Sequence, residues 1–229
     1  MAEEIPITAF CLCIPEREKF WKELGFQCES IGIPFYPCFP NDNLELAYNL
    51  GTTFKYGKSG MIDNRWKHAL AFMAHHEMVY RAKTNNLPMV LMLEDDAYIT
   101  KRYPEIFQRL KHQIQNLNFD IIYFGWWIGD ENDYFNDSVE FLWQEHEKCG
   151  LMKIRQSVGL HGALINKSAY NTILNMRCID CMDSQIGKTD LNCYAVLPKI
   201  IHTRSIKSQM EDKIMNRKKI PMLQIKEYQ

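Results

Sequence analysis

The ten residues Pro88-Met-Val-Leu-Met-Leu-Glu-Asp-Asp-Ala97 decide how this chain is read. From Pro88 to Leu93 they are apolar or helix-breaking, the pattern of a strand buried on both faces of a mainly parallel sheet. Glu94, Asp95 and Asp96 follow without a gap. Carboxylates this close repel one another, and a fold accommodates them best when a cation neutralises them. Open α/β sheets bind their ligands at the carboxyl ends of the strands. An apolar strand that runs into Glu-Asp-Asp is therefore a candidate metal-dependent site. The competing reading is a solvated acidic turn behind a core strand.

Upstream, residues 63–83 carry two series at helical spacing. Trp66, Leu70, Met73, Glu77 and Tyr80 form one, and Ala69, Phe72, His76 and Val79 the other. Asp63 or Asn64 would cap this helix, and Arg65 in its first turn could reach a phosphate or remain a solvated charge. His75 and His76 are adjacent and point to different sides, so each reads as a packed or surface histidine. Residues 37–60 are rich in Pro, Asn and Gly and read as a loop with little regular structure. Nearer the N-terminus, residues 6–14 form an apolar first strand, Pro15–Leu24 a helix with proline in its first turn, and Gly25 its stop. A second short strand falls within Cys28–Pro37. Arg17 stands at the first βα junction, where a guanidinium either meets a phosphate or base or is a surface charge. No glycine-rich fingerprint follows the first strand, which excludes a typical dinucleotide fold.

Downstream, a helix over 104–116 leads to a buried strand at Phe119–Gly125. Residues 125–148 form a polar insert with Trp126, Trp127 and Trp143 among acids. Such tryptophans either stack on sugar rings or cover a sheet edge. Strands at 151–155 and 157–166 and a helix at 167–175 come next. Gly159 and Gly162 flank His161 where backbone must pass close to something. Asp180, Asp183 and Asp190 lie within eleven residues, and strands at 194–198 and 199–202 end in His202.

At 229 residues the chain suits one domain, assigned to 1–204, with a basic peripheral tail at 205–229. A formal net charge of −1 gives no global field for nucleic acid. No apolar run is long enough to span a bilayer, and the acidic start, Met-Ala-Glu-Glu, is unlike a signal peptide. A cytoplasmic location is expected. The eight cysteines then read as free thiols, with Cys11 and Cys13 on one face of the first strand, and the lone Cys178-x-x-Cys181 pair lacks a partner pair for zinc.

The order of these segments resembles glycosyltransferase family 25, which includes bacterial lipooligosaccharide galactosyltransferases and the collagen galactosyltransferase domain. Ile14-Pro-Glu-Arg17 is similar to that family's opening element, and Leu91–Ala97 to its acidic motif. His75 stands where the family has a Ser-His pair. Asp120–Gly125, His161–Ala169, Asp183 and Pro198 follow in the family's order. Ala74 replaces the serine of the pair, and Lys67-His68 replaces the preceding Gly-Glu. The resemblance implies an α/β fold of the GT-A type, a single-domain α/β/α sandwich. It also implies transfer of a sugar from a nucleotide sugar, UDP-linked, to a glycan or other hydroxyl acceptor, with inversion, using Mn²⁺ or Mg²⁺. On this reading Glu94, Asp96 and His202 hold the metal. Arg17, Arg65, Asp95 and His161 contact the donor, and Asp183, with Asp180 as the alternative, is the catalytic base. The competing function is a non-catalytic binder of carbohydrate or nucleotide sugar on the same fold.

Overall fold

The computed structural model describes residues 5–40, 44–55, 58–59, 62–126, 140–145, 149–154, 157 and 159–204. The apolar runs become strands and the 3.6-period runs become helices. In chain order these are β1 (Thr8–Leu12), α1 (Glu18–Ser30), β2 (Phe35–Cys38), α2 (Leu44–Gly51), β3 (Lys58–Ser59), β4 (Ile62–Asp63) and α3 (Arg65–Thr84). Then come β5 (Met89–Glu94), β6 (Ala97–Ile99), α4 (Tyr103–Asn116), β7 (Ile121–Tyr123), β8 (Glu140–Glu145) and β9 (Cys149–Ile154). The chain continues through β10 (Ala163–Asn166), α5 (Tyr170–Leu174), α6 (Met182–Ile186), β11 (Cys193–Leu197) and β12 (Ile201–Thr203).

Eight strands form one sheet in the order β2-β1-β5-β10-β7-β11-β9-β8. β10 runs against both its neighbours, and β9 against both of its own. The other six point one way, so the sheet is mainly parallel in direction although mixed in its pairings. The expected sandwich is present. One apolar layer gathers Met92, Ala163 and Tyr123 from the sheet with Phe72 and Val79 of α3, Ile173 of α5 and Ile186 of α6. The other gathers Leu91, Leu93 and Leu164 with Leu24 of α1 and Ile106, Leu110 and Ile114 of α4. Alternate residues of each strand face opposite layers. Val90 through Leu93 are fully buried, as a strand covered on both faces requires. β6 and β12 form a separate antiparallel pair behind the main sheet.

Several boundaries differ from expectation. Gly25 does not end α1; it lies buried inside the helix, where an added Cβ would stand 3.0 Å from the Phe35 ring. The close approach of α1 to β2 uses the missing side chain, and burial of Cys28 carries the helix on to Ser30. The stretch 37–60 holds a helix, α2, whose Ala47 and Gly51 pack inward. Its flanking Asn, Pro and Gly concealed that short period. Of the described residues in 157–166 only Ala163–Asn166 are strand, and Gly159 turns with φ +83°. The insert at 125–148 contains β8; Trp127, the side chain of Trp143 and the tail at 205–229 lie outside the described residues. Cys11 and Cys13 are buried in the α1 layer as expected, and the described cysteines are free thiols. No helix among the described residues is long and apolar enough to cross a membrane.

Helix α3 sets the depth of the sheet's carboxyl edge. It runs antiparallel to β5, and His75 lies beside Glu94, the last residue of that strand. Residues 65–74 therefore project about 15 Å beyond the strand end. α2 braces this projection: Arg65 Nη1 donates to Thr52 O at 3.1 Å, and an added Cβ at Gly51 would meet the Trp66 backbone nitrogen at 2.9 Å.

Leu164 is fully buried in β10, between β5 and β7, whereas Phe26 on α1 is 70% exposed. Leu164→Ala is expected to cost about 2–5 kcal/mol through the cavity it leaves. Phe26→Ala should stay within about 0.5 kcal/mol of the parent. Urea denaturation midpoints at constant slope would check both.

Candidate active site

The three acids part company where β5 ends at Glu94 and the chain turns through Asp95 and Asp96. Glu94 follows the parity of Met92 and turns to α3, with Oε1 3.6 Å from His75 Nε2. Asp95 turns to α1. Its Oδ1 accepts from Arg17 Nη1 at 2.7 Å and its Oδ2 from the Ile14 backbone N–H at 3.0 Å. Asp96 is half-buried where the chain turns into β6, and its backbone carbonyl accepts from Arg204 N at 2.7 Å.

The Arg17–Asp95 pair is nearly dry, with side chains 11% and 5% exposed. Burial pushes the Asp95 carboxyl up from its ordinary range, against the opposing pull of Arg17 and of the Ile14 N–H. Both residues were expected on the donor, Asp95 at sugar hydroxyls and Arg17 at a phosphate or base. Here they hold each other instead. The burial of Asp95 demands an internal partner for a desolvated charge, and Arg17 in the single helical turn at Pro15–Arg17 supplies it. The pair fastens the exit of β1 to the exit of β5.

His75 is buried, and desolvation holds its imidazole down to about 4. At neutral pH it is uncharged, so its contact with Glu94 is not an ion pair. Its Nε2 has no hydrogen-bond partner among the described residues. His76 points elsewhere, with Nε2 3.0 Å from Leu174 O. His202 pairs across from Tyr98, stacks on that ring at 5.5 Å, and sets Nε2 3.0 Å from Lys199 O. Burial, and then the Lys199 charge, lower its pKa. The backbone beside Asp96 is that of Arg204, so His202 sits two residues along from the acids with its ring nitrogen already engaged. His161 is 2% exposed and its ring lies on Gly125, where a Cβ would meet it at 2.7 Å. Gly162 in turn allows the Gly125 nitrogen to approach, as its Cβ would stand 2.7 Å away. The glycines around His161 thus serve a close backbone crossing of β7 and β10. Arg65 is on the α3 projection, tied to α2.

Asp183 lies in the first turn of α6, and it bridges to the loop entering β10. Gly159 N donates to Oδ2 at 2.7 Å and Ser184 N to Oδ1 at 2.8 Å. Burial raises its carboxyl above the usual range, and these two donors oppose the rise. Its charge in turn helps to raise the buried phenol of Tyr123, the last residue of β7, after burial and Cys193. Asp183 therefore belongs to the same sheet edge as Glu94, and to the same layer, through Tyr123 and Met182. Asp180 is held by Cys181 N at 2.9 Å and by Lys188 Nζ at 3.0 Å. The Cys178 and Cys181 thiols turn to different atoms of α3, Ala69 O at 3.8 Å and His68 Nδ1 at 3.7 Å, and burial pushes them to about 11 and 12.

The edge thus brings together Glu94, Asp95, Asp96, Arg17, His161 and Asp183, whereas Asp180, Arg65 and His202 are anchored to other partners. Among the described residues no three His, Cys, Asp or Glu side chains converge as a ready metal cluster. The Glu94 carboxylate lies at this edge beside the buried His75 Nε2, which has no hydrogen-bond partner among the described residues. His75 is packed, one of the two histidine readings the sequence offered; it shares a buried stripe of α3 with His68, Phe72, Val79 and Ala82. Trp126, open between sugar stacking and edge cover, is buried and donates Nε1–H to Val196 O at 2.8 Å, so it covers the edge.

No family model matches the chain, and no curated protein matches it. Among solved structures it is similar to a glycosyltransferase involved in the glycosylation of the major capsid of PBCV-1. The identity is 14% and the TM-score 0.41, over 73% of this chain and 62% of that one. It is also similar to an apo UDP-glucose pyrophosphorylase, at 8% identity and TM-score 0.38, over 86% of this chain and 74% of that one. The chain spans under two-thirds of the length of the PBCV-1 protein.

Arg17→Met strands the Asp95 carboxylate and should cost about 3–5 kcal/mol. Adding Asp95→Asn removes the stranded charge while keeping an acceptor for the Ile14 N–H. The double variant should therefore be more stable than Arg17→Met alone, a non-additivity read from denaturation midpoints.

Proposed function

We propose that residues 1–204 form a metal-dependent glycosyltransferase of the GT-A type. It moves a sugar from a nucleotide sugar, UDP-linked, to a hydroxyl of a glycan acceptor, with inversion. The observation that carries this reading is the acidic end of β5. Glu94 and Asp96 stand at the carboxyl edge of a mainly parallel sheet, where β5 meets the reversed strand β10. Ligand sites of such sheets lie at this edge. The family-25 resemblance of Leu91–Ala97 points the same way.

Glu94 and Asp96 would hold the divalent cation, Mn²⁺ or Mg²⁺, together with diphosphate oxygens. His202 would join them only by giving up its contact with Lys199 O. When bound, the cation neutralises the charge that grows on the departing nucleoside diphosphate. Asp183 takes the proton from the acceptor hydroxyl, whose oxygen attacks the anomeric carbon on the face opposite the leaving group. Its raised pKa suits a base, since a stronger base accepts that proton more readily. The backbone donors at Gly159 and Ser184 fix its direction. Arg17 and Asp95 serve this site as its frame, and His161 and Gly125 close its floor. Asp180, held by Lys188, is the weaker candidate for the base.

The engaged carboxylates of Asp95 and Asp183 favour one second reading, a protein that binds a nucleotide sugar or glycan without turning it over. UDP release from a panel of UDP-sugars with Mn²⁺ separates the two: turnover supports the transferase, and tight binding with no release supports the binder.

Asp96→Ala should leave the protein folded and abolish Mn²⁺-dependent binding of UDP-sugar in calorimetry. Retained binding that still responds to Mn²⁺ removes the acids from the cation site. Asp183→Asn should lower kcat by about 10²–10⁴-fold, the range of a lost general base, with donor affinity little changed. In the parent enzyme Asp183 must be ionised to act. Activity should therefore fall as pH drops through its pKa, on a limb above the ordinary carboxylate range, and that limb should be missing in Asp183→Asn.

A further inference from the structure

Glu94 has a neighbour with no part in the mechanism above. His75 lies on α3 with its side chain 8% exposed, its Nε2 buried, and no hydrogen-bond partner for that nitrogen among the described residues. Glu94 Oε1, 3.6 Å away, is too distant for a hydrogen bond. A buried polar nitrogen left unmade is a standing cost, and native folds seldom keep one without use. The imidazole cannot move far, because α3 is pinned on either side by Phe72, Met78 and Val79, all buried. The Glu94 side chain ends a strand and is 27% exposed, so it is the movable member of the pair. Closing the gap to hydrogen-bond length takes a shift of about 0.5–0.9 Å.

We infer that His75 is a positioning residue for Glu94. Its Nε2–H donates to Oε1 when a divalent cation and nucleotide diphosphate occupy the edge, which leaves Oε2 directed at the cation. A carboxylate only accepts, so the proton in this bond belongs to Nε2. A bond of this kind fixes the ligand's rotamer and costs 10–100-fold in metal affinity when it is removed. The inference rests on the reading of Glu94 as a cation ligand.

The test is Mn²⁺ affinity of the full chain in the presence of UDP, measured by calorimetry and by the loss of the free Mn²⁺ EPR signal, beside the melting temperature. His75→Phe keeps the ring volume and removes the donor. It should melt no lower than the parent and bind Mn²⁺ about 10–100-fold more weakly. His75→Gln places an amide N–H at comparable reach and should recover most of the loss. His75→Asn, too short to reach, should follow the phenylalanine, and it serves as the donor-free variant if His75→Phe fails to fold. Parental affinity in the donor-free variants, with Glu94→Gln weakened, overturns the positioning role alone. Equal weakening in His75→Gln and His75→Phe also overturns it. A parent chain with no Mn²⁺-dependent UDP binding overturns both this inference and the cation reading beneath it.

Discussion

A carboxylate turned into the interior governs the sheet edge. Asp95, the first residue past β5, is buried at 3% exposure in the turn that follows the strand. A charge in that position needs both a counter-ion and hydrogen bonds, and Arg17 and Ile14 N provide them. Satisfying Asp95 binds the exits of β1 and β5 to each other. That leaves Glu94 on the α3 side and Asp96 at the turn into β6. The three acids are thus divided where β5 gives way to a turn, and the middle one is tied to the exit of β1.

The same constraint explains what was legible in the sequence. β5, α3 and α4 were read nearly to their ends, because each has one strong pattern: an unbroken apolar run, or an apolar series at helical spacing. The layered α/β architecture followed from them. α2 escaped because eight helical residues between Asn-rich and Gly-rich flanks present too few turns for a period to show. Gly25 was misread because a glycine can mark a helix end or a close contact, and only the Phe35 ring decides between them.

Site residues were legible by address and not by partner. That Glu94, Asp95 and Asp96 follow a strand end is readable from the sequence, since strand ends can be counted. Which side chain faces which could not be counted. The Arg17–Asp95 pair joins residues 78 apart in sequence, and the Asp183–Gly159 bond joins residues 24 apart. His202 looked well placed from the end of its strand, yet the pairing of β12 with β6 sets its ring on Tyr98 and its nitrogen on Lys199 O. His75 and His76, adjacent on α3, point to different sides: the first is buried and the second meets Leu174 O.

The reversed strand β10 has a consequence for how the molecule is built. Met92 of β5 pairs with Ala163, 71 residues later, and the same Ala163 pairs with Tyr123 of β7. Until the chain reaches β10, the inner flank of β5 and the facing flank of β7 are open edges, each strongly apolar. Such edges recruit other chains, and pairings this distant in sequence form slowly. Synthesis therefore passes through a stage in which β1, β2 and β5 are complete but exposed. A chain halted before about residue 160 would lack β10 and leave the flanks of β5 and β7 that it covers open.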